Sequence, residues 1–312
     1  MISILSQRVL IGAAVLTVNV FVSASVFAQK DEAVPLNAKV LELNRVGKFS
    51  EAIPIAQRTL AIRQKALGSG HPNVAESLNN LALVYNNQGR HADAEPLYRR
   101  ALMVWEKALG PNHPNIATVL NNMGELYQVQ GRYGEAEPLY KRALAIREKA
   151  LGAEHREVAN SLNNLALVYS AQARYADAES HHNRALAIRE KALGPEHREV
   201  AQSLNNLARV YNNQGRHADA EPLYKRALAI REKALGPDHR DVAQSLHNLG
   251  LLYGSQRRYA DAEQVYQRAL TIREKGSRSR SSECRSNTEQ FGQRAGPVRR
   301  GRVFVPALIG NS

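Results

Sequence analysis

Histidine returns along this chain at a fixed spacing of 42 residues, and histidine is a common metal ligand and general acid or base. The five copies are His71, His113, His155, His197 and His239. Each precedes a segment of closely similar sequence, so successive copies belong to successive units. Packed helices lie roughly 8–10 Å apart, whereas zinc binds nitrogen at about 2 Å. The spacing therefore predicts that these histidines cap helices and do not share a metal.

Other residues with chemical potential are isolated in the sequence. His181 and His182 replace a Leu-Tyr pair found in other copies, and adjacent helical residues point in different directions, so we expect a local change in the core. Cys284 is the single cysteine, which excludes an internal disulfide. Runs of Arg, Glu and Lys such as 147–149 are expected to be solvated. No phosphate-binding loop, nucleophile elbow or zinc motif occurs, so we expect no enzyme activity, no metal and no cofactor.

Two amphipathic helices are predicted in each unit, because apolar residues recur at i, i+3, i+4 and i+7. In the first complete copy the stripes are Leu78, Leu81, Ala82 and Tyr85, and then Ala94, Leu97, Tyr98, Ala101 and Leu102. Pro72 fits a first helical turn, and Gly89 fits the left-handed cap that ends a helix. A constant period of this size predicts a solenoid of stacked units.

The order of small and large residues in these stripes resembles the tetratricopeptide repeat. Leu78 stands where that family usually has tryptophan, and the unit is longer than the usual length of about 34 residues. The long unit, the phrase at residues 77–82 and the Ala-Leu-Gly-Pro linker are similar to the kinesin-light-chain subgroup. The resemblance covers about residues 36–275. It implies an all-α, right-handed solenoid of helix-turn-helix repeats that binds proteins and carries out no catalysis.

The repeat period also sets the expected domain boundaries. They are a signal peptide (1–28), a degenerate N-terminal repeat or cap (29–70), five repeats (71–112, 113–154, 155–196, 197–238 and 239–275) and a disordered tail (276–312).

The first 28 residues are typical of a secretory signal. Arg8 precedes a largely apolar stretch at 9–22, and Val26-Phe27-Ala28 fits a cleavage site. An uncleaved membrane anchor is the alternative, because the stretch approaches the length of a short span. Either reading predicts export, with a periplasmic or secreted location in a bacterium.

The tail at 276–312 loses the repeat and contains seven arginines and two glutamates. Its composition predicts disorder. Permitted codons for 276–292, read one nucleotide later, encode a close match to Ala234–Leu249. We therefore hypothesise a frameshifted repeat, which would leave the last helix uncovered and prone to self-association, or would leave a damaged gene product. The net charge of +13 then gives no reason to expect a nucleic-acid partner.

Two rows of asparagine run beside the apolar stripe of the first helix in each unit. The first row is Asn79, Asn121, Asn163 and Asn205, ending in His247, and the second is Asn80, Asn122, Asn164, Asn206 and Asn248. Two neighbouring positions vary between units. One holds Leu83, Glu125, Leu167, Arg209 and Leu251, and the other holds Asn86, Gln128, Ser170, Asn212 and Gly254.

Asparagine is a mediocre helix former, so two such rows need a cause. Amides can pair with the N–H and C=O groups of an extended peptide. In the family that the chain resembles, these positions line a concave groove, which implies a peptide or protein ligand, with Arg209 selecting an acidic and Glu125 a basic residue. The alternative is that one row links neighbouring repeats. A self-associating module of the cell envelope is the second class of function, and no membrane contact is expected beyond the signal segment.

Overall fold

A computed structural model describes the backbone of residues 32–294 and the side chains of residues 32–276. The predicted signal segment and residues 295–312 lie outside this range. Within it the chain forms twelve helices and no strand. The helices are α1 (32–45), α2 (Phe49–Leu67), α3 (Pro72–Asn87), α4 (His91–Leu109), α5 (Pro114–Val129), α6 (Tyr133–Leu151), α7 (Arg156–Ala171), α8 (Tyr175–Leu193), α9 (Arg198–Asn213), α10 (His217–Leu235), α11 (Arg240–Ser255) and α12 (Tyr259–Arg294).

The helices alternate between two kinds, as the sequence pattern predicts. From α3 to α11 the odd-numbered helices have 16 residues, and from α2 to α10 the even-numbered helices have 19. We call the odd-numbered helices, with α1, the A helices, and the even-numbered helices, with α12, the B helices. The fold is an all-α solenoid of consecutive helix pairs.

The repeated histidine caps the A helices. In each of α3, α5, α7, α9 and α11, its Nδ1 accepts the backbone N–H of the residue two places on, at 3.1–3.2 Å. A side-chain acceptor here satisfies one of the amide groups that a helix start leaves without a partner. The predicted capping role is therefore confirmed.

Glycine makes the turns between helices. Gly110 follows α4 with φ +82°, and Gly89 lies in the turn from α3 to α4 with φ +83°. Glycine adopts this left-handed region without the clash that a Cβ atom causes. In two repeats the position of Gly89 is occupied by Ala173 or Arg257. Both residues keep a positive φ of about 60°, so these two turns carry backbone strain.

The residues 32–294 fall into two compact units that divide between Gly215 and Arg216. In the first unit the predicted stripes form the core, and Leu78, Ala82, Tyr98 and Ala101 are completely buried. Small residues allow the two helices of a repeat to approach closely. A Cβ atom at Gly124 would lie 2.8 Å from the ring of Tyr140, so this contact requires the absence of a side chain.

In the second unit α11 packs against α12. Val242, Leu246 and Ile272 are buried between them. The repeat pattern stops at residue 275, but the helix α12 continues to Arg294. This differs from the disorder that composition predicts from residue 276 onward. The assignment of 276–312 as a frameshifted tail stays a prediction.

Candidate peptide-binding surface

A buried arginine of one B helix fixes the A helix that follows it. Arg63 of α2 donates to the Asn73 carbonyl at 2.8 Å and to Ser77 Oγ at 3.0 Å, both in α3. Arg147 of α6 donates to Ser161 Oγ of α7 at 2.6 Å. The same hydrogen bond recurs in two later repeats, where Arg189 donates to Ser203 Oγ at 2.7 Å and Arg231 donates to Ser245 Oγ at 2.8 Å.

Burial is the main cause of a lowered pKa for the guanidinium groups of Arg147, Arg189 and Arg231. The prediction of a solvated face at 147–149 is therefore wrong for Arg147, which is only 9% exposed. Sequence reasoning missed this role because a charged residue beside Glu and Lys reads as surface. The signal that could have found it is the serine 14 residues later.

One repeat changes both members of this pair. Trp105 of α4 occupies the arginine position, and Val119 of α5 occupies the serine position. Both side chains are buried, and Trp105 Nε1 donates instead to the Pro72 carbonyl of α3 at 3.1 Å. The polar pair is thus replaced by an apolar pair, so that no hydroxyl or guanidinium is left buried without a partner.

The two asparagine rows form a ladder of amide hydrogen bonds between A helices. The second-row Nδ2 of one repeat donates to the first-row Oδ1 of the preceding repeat in Asn122–Asn79 (3.0 Å), Asn164–Asn121 (3.0 Å) and Asn206–Asn163 (2.7 Å). Asn80 donates in the same way to Asn37 of α1 at 2.9 Å. Within one helix, Asn163 Nδ2 lies 3.4 Å from Asn164 Oδ1, which continues the relay. The sequence left this inter-repeat use open as the alternative to ligand binding.

Burial differs among the predicted site residues. Buried are Asn79, Asn80, Asn86, Asn163, Asn205 and Asn206, and half-buried are Asn121, Asn122, Gln128, Asn164, Asn212, His247 and Asn248. Glu125 and Arg209 are exposed. In the second unit the ring of His247 lies 5.5 Å from that of Tyr266, which places it against the B helix α12.

A cavity of about 760 Å³ lies along the A helices of the first unit. Its lining residues, mostly from α5, α7 and α9, are Gln128, Val129, Tyr133, Asn163, Leu167, Ser170, Ala171, Gln202, Asn206, Arg209 and Asn213. Six of these lie at the asparagine and variable positions that the sequence assigns to the groove: Gln128, Asn163, Leu167, Ser170, Asn206 and Arg209. The sequence reading missed Tyr133, which begins a B helix, and Gln202, which lies one helical turn before Asn206.

Charge is distributed unevenly along this surface. Arg209 of α9 lines the cavity, whereas Glu125 of α5 does not. The Glu125 side chain is exposed, yet partial desolvation raises the pKa of its carboxyl. The pKa values of Tyr98 and Tyr140 are raised by burial and, secondarily, by the charge of Glu125. Tyr140 donates its hydroxyl to Gln128 Oε1 at 3.1 Å and so holds this amide at the cavity.

His182 takes the place of that tyrosine in the next repeat. It is completely buried, so the predicted change in the core lies here. Burial, followed by the charges of Arg209, Arg189 and His181, lowers its pKa to about 3. The neighbouring His181 is instead half-buried and packs edge-on against Tyr169, with ring centroids 5.2 Å apart.

Between residues 32 and 276 no three His, Cys, Asp or Glu side chains come together as a metal site. The helices described here include none with the length and apolar character needed to cross a bilayer.

The repeats match the family model for the tetratricopeptide repeat. The match covers residues 31–102, 75–149, 115–191, 157–233 and 199–275. Because these stretches span most of the chain, the chain belongs to the tetratricopeptide repeat family, whose members commonly act as protein-interaction scaffolds.

Similar solved structures place its repeats among the kinesin-light-chain type. BtubC (BKLC) from P. vanneervenii is 25% identical, with a TM-score of 0.59 over 88% of this chain and 99% of that one. A Podospora anserina protein of nearly identical TPR-like repeats, assigned to the kinesin light chains, is 28% identical, with a TM-score of 0.57 over 64% of this chain and 94% of that one. The apo form of RapI shares the fold at 15% identity, with a TM-score of 0.59 over 79% and 99%. No match is found among curated proteins.

Proposed function

We propose that this chain is a non-enzymatic scaffold whose A helices bind an extended peptide or a segment of a partner protein. The observation that carries the proposal is the cavity along α5, α7 and α9. Its volume of about 760 Å³ lies within the usual range for binding sites, roughly 300–1,000 Å³. Membership of the family supports protein partners.

The asparagine ladder limits how a ligand is held. Asn163 already accepts from Asn206 and donates toward Asn164, so its amide is largely occupied. We therefore assign the buried rows to positioning the A helices, and ligand contact to exposed side chains beside them. Arg209 offers charge-assisted hydrogen bonds, and Val129 offers an apolar surface that is 59% exposed.

This binding is proposed to occur outside the cytoplasm. The support is the composition of residues 1–28, which lie outside the described structure and have the order of a secretory signal.

Filling the cavity tests the proposal. The full chain, immobilised, is incubated with a pool of random octapeptides that are acetylated and amidated, and the retained peptide is quantified. Ala171→Trp places a large side chain at the cavity wall, and we expect retention to fall at least about tenfold, as for the loss of a central contact. Ala176→Trp is the matched control, because Ala176 is exposed on α8 and does not line the cavity.

Both variants should keep the helical circular dichroism of the parent chain. Equal retention by Ala171→Trp and Ala176→Trp would place the peptide elsewhere. If the parent chain and both variants all fail to retain peptide, the result would contradict a peptide-binding surface on this chain.

A second candidate function, assembly of copies of this chain, is favoured by the last helix. On α12, Tyr259 and Leu270 are 68% and 57% exposed and line a groove of about 500 Å³ with Tyr266. If two copies of α12 packed antiparallel about a two-fold axis at residue 268, Glu263 of one copy would lie opposite Arg273 of the other. Tyr266 of one copy would likewise lie opposite Leu270 of the other. This surface is thus complementary to itself, as a two-fold dimer requires.

A further inference from the structure

A charged contact that joins successive repeats is left half-made before α2. Arg132 binds Glu135 in the helix that follows it and Glu95 in the B helix of the preceding repeat, at 2.7 and 3.0 Å. Arg174 and Arg258 repeat this arrangement. Lys48 holds the arginine position before α2 and binds Glu51 at 3.0 Å. The described residues include no preceding B helix that could supply its second carboxylate.

The other half of the contact lies on the last B helix. Glu263 of α12 holds the position of Glu95. It accepts a hydrogen bond from Gln267 Nε2 at 3.1 Å, but it forms no ion pair with any residue between 32 and 276. Lys48 and Glu263 are thus the two members of a pair that other repeats form within one chain.

The outward face of α1 is apolar where the other A helices are polar. Val34 and Leu41 are 63% and 45% exposed, and the exposed Ala38 lies between them at helical spacing. The positions of Val34 and Ala38 hold polar residues in every later A helix: Glu76, Thr118, Asn160, Gln202 and Gln244, and Asn80, Asn122, Asn164, Asn206 and Asn248. A terminal repeat that only shields the core needs a polar outer face, so this apolar stripe indicates a contact.

The same positions in α3 show which way the stripe faces. Arg63 of α2 donates to Glu76 Oε2 at 2.8 Å, and Asn80 of α3 donates to Asn37 of α1 at 2.9 Å. Both residues thus contact the preceding repeat. The stripe of α1 therefore lies on the face that an A helix turns toward the B helix before it.

The exposed groove of α12 is the surface that such a stripe would meet. It is lined by Tyr266 and Leu270, among others, and has a volume of about 500 Å³. In the preceding repeat, Leu228 holds the position of Leu270 and packs against the core that includes Leu246 of the following A helix. Leu36 of α1 holds the position of Leu246 and is half-buried.

We propose that a second copy of this chain covers α12, with its α1 packed as an A helix packs against the B helix before it. We call this arrangement the head-to-tail contact. It rests on the second proposed function, assembly through α12, and names the surface that α12 meets. Leu36 and Val34 of one copy cover Leu270 of the other, and Lys48 of the first copy pairs with Glu263 of the second.

Arg273 also gains a carboxylate in this arrangement. The buried Arg231 reaches the start of α11, where the Asp241 carbonyl accepts its N–H at 3.1 Å. Arg273 holds the same position on α12, and Glu32 lies at the start of α1. Glu32 is partly exposed and pairs with Arg58 of its own chain, so a second guanidinium can share this carboxylate.

Antiparallel packing of α12 on itself uses the same face, so the two arrangements exclude each other. The two-fold packing leaves the stripe of α1 exposed and Lys48 without its second carboxylate. The head-to-tail contact covers both, and it reuses a packing of B helix on A helix that the chain already forms between its own repeats. Because it is heterologous, it joins copies into open chains unless a rotation closes them.

Sedimentation equilibrium of full-length variants separates the two arrangements. V34E, which copies Glu76 and so suits an A helix, should weaken association at least about tenfold, as should L270E. An equal mixture of V34E and L270E should form a 1:1 dimer, because V34E keeps an intact α12 and L270E an intact α1. M103E changes a residue that is 63% exposed, like Val34, and should associate like the parent chain.

A charge exchange tests the ion pair. K48E and E263K should each weaken association by roughly fivefold, because each places like charges together at the contact. The double variant K48E/E263K should recover most of the loss, since the pair is then reversed. The two-fold packing instead predicts that K48E associates like the parent chain.

Three results would contradict the inference. Association of V34E like that of the parent, with loss in L270E, would leave assembly through α12 intact and overturn the head-to-tail contact alone. Failure of the V34E and L270E mixture to form a dimer would do the same. A parent chain that stays monomeric would contradict the head-to-tail contact and assembly together.

Discussion

At the scale of single residues, His182 departs furthest from its repeat. A tyrosine fills this position in the other complete repeats, and in two of them, Tyr98 and Tyr140, its burial is as complete as that of His182. The ring stays neutral in the folded chain because burial and nearby bases lower its pKa to about 3. An unfolded histidine titrates near 6.5. Between these values the unfolded chain binds more protons, so folding stability decreases as pH falls through this window.

Replacing His182 with tyrosine should therefore stabilise the chain more at pH 5 than at pH 7.5. The pH-dependent part of the gain in unfolding free energy is expected to be on the order of 2 kcal/mol at pH 5. This pH lies about 1.5 units below the pKa of an unfolded histidine, and each unit is worth about 1.4 kcal/mol. Urea unfolding followed by circular dichroism at both pH values measures it. The same gain at both values would show that His182 is not held neutral by the fold.

At the scale of helices, one arginine–serine pair joins each B helix to the next A helix, except where Trp105 and Val119 replace both members. This paired change indicates that the two positions depend on each other. Neither polar residue is tolerated alone, because a buried hydroxyl or guanidinium without its partner costs free energy.

A double-mutant cycle at these positions tests the dependence. V119S and W105R should each destabilise the chain by about 2–4 kcal/mol, since each buries a polar group without its partner and removes apolar contacts. The double variant should be less destabilised than the sum by roughly 1–3 kcal/mol, because it recreates the pair seen in Arg147–Ser161. Denaturation midpoints of the four proteins give the coupling. Strict additivity would mean that the two positions are independent.

At the scale of the whole chain, the last described helix keeps exposed the face that earlier B helices bury. Arg273 is exposed, whereas Arg147 and Arg189 at the same position are buried. Leu270 is 57% exposed, and Leu102 at the same position is half-buried. An apolar stripe of this kind is an expected contact between copies.

Sedimentation equilibrium should show a mass that increases with concentration for the full chain. L270E, which places a charge at the centre of the α12 stripe, should sediment as a monomer over the same range. M103E changes a comparably exposed apolar residue on α4 and should behave like the parent. A parent chain that is monomeric throughout would remove assembly through α12.

The sequence predicted the regular parts of this molecule because each has a local signal. The period, the apolar stripes and the glycine turns defined the helix pairs, and the histidine spacing predicted the caps that His71 and its equivalents form. Arg147 was misread because its partner lies on another helix and nothing in the local sequence marks a charged residue as buried. The sequence allowed the asparagine rows either to bind a ligand or to link neighbouring repeats. It could not decide between the two, because hydrogen-bonded partners such as Asn206 and Asn163 lie 43 residues apart.

The cavity depends on the same kind of non-local information. Val129, Gln202 and Tyr133 meet there because the ladder and the arginine pairs set the register of the A helices. The position of Tyr133 recurs with the repeat period, as His91, Tyr175 and Tyr259 show, but it begins a B helix, and nothing in the local sequence indicates that its side chain reaches the surface of the A helices.

A crystal structure of the full chain with the best-retained octapeptide would test the central claim most directly. We predict peptide density along α5, α7 and α9, with a peptide carboxylate within hydrogen-bond distance of Arg209. Peptide density against the exposed surfaces of the B helices α4, α6 and α8 would contradict it.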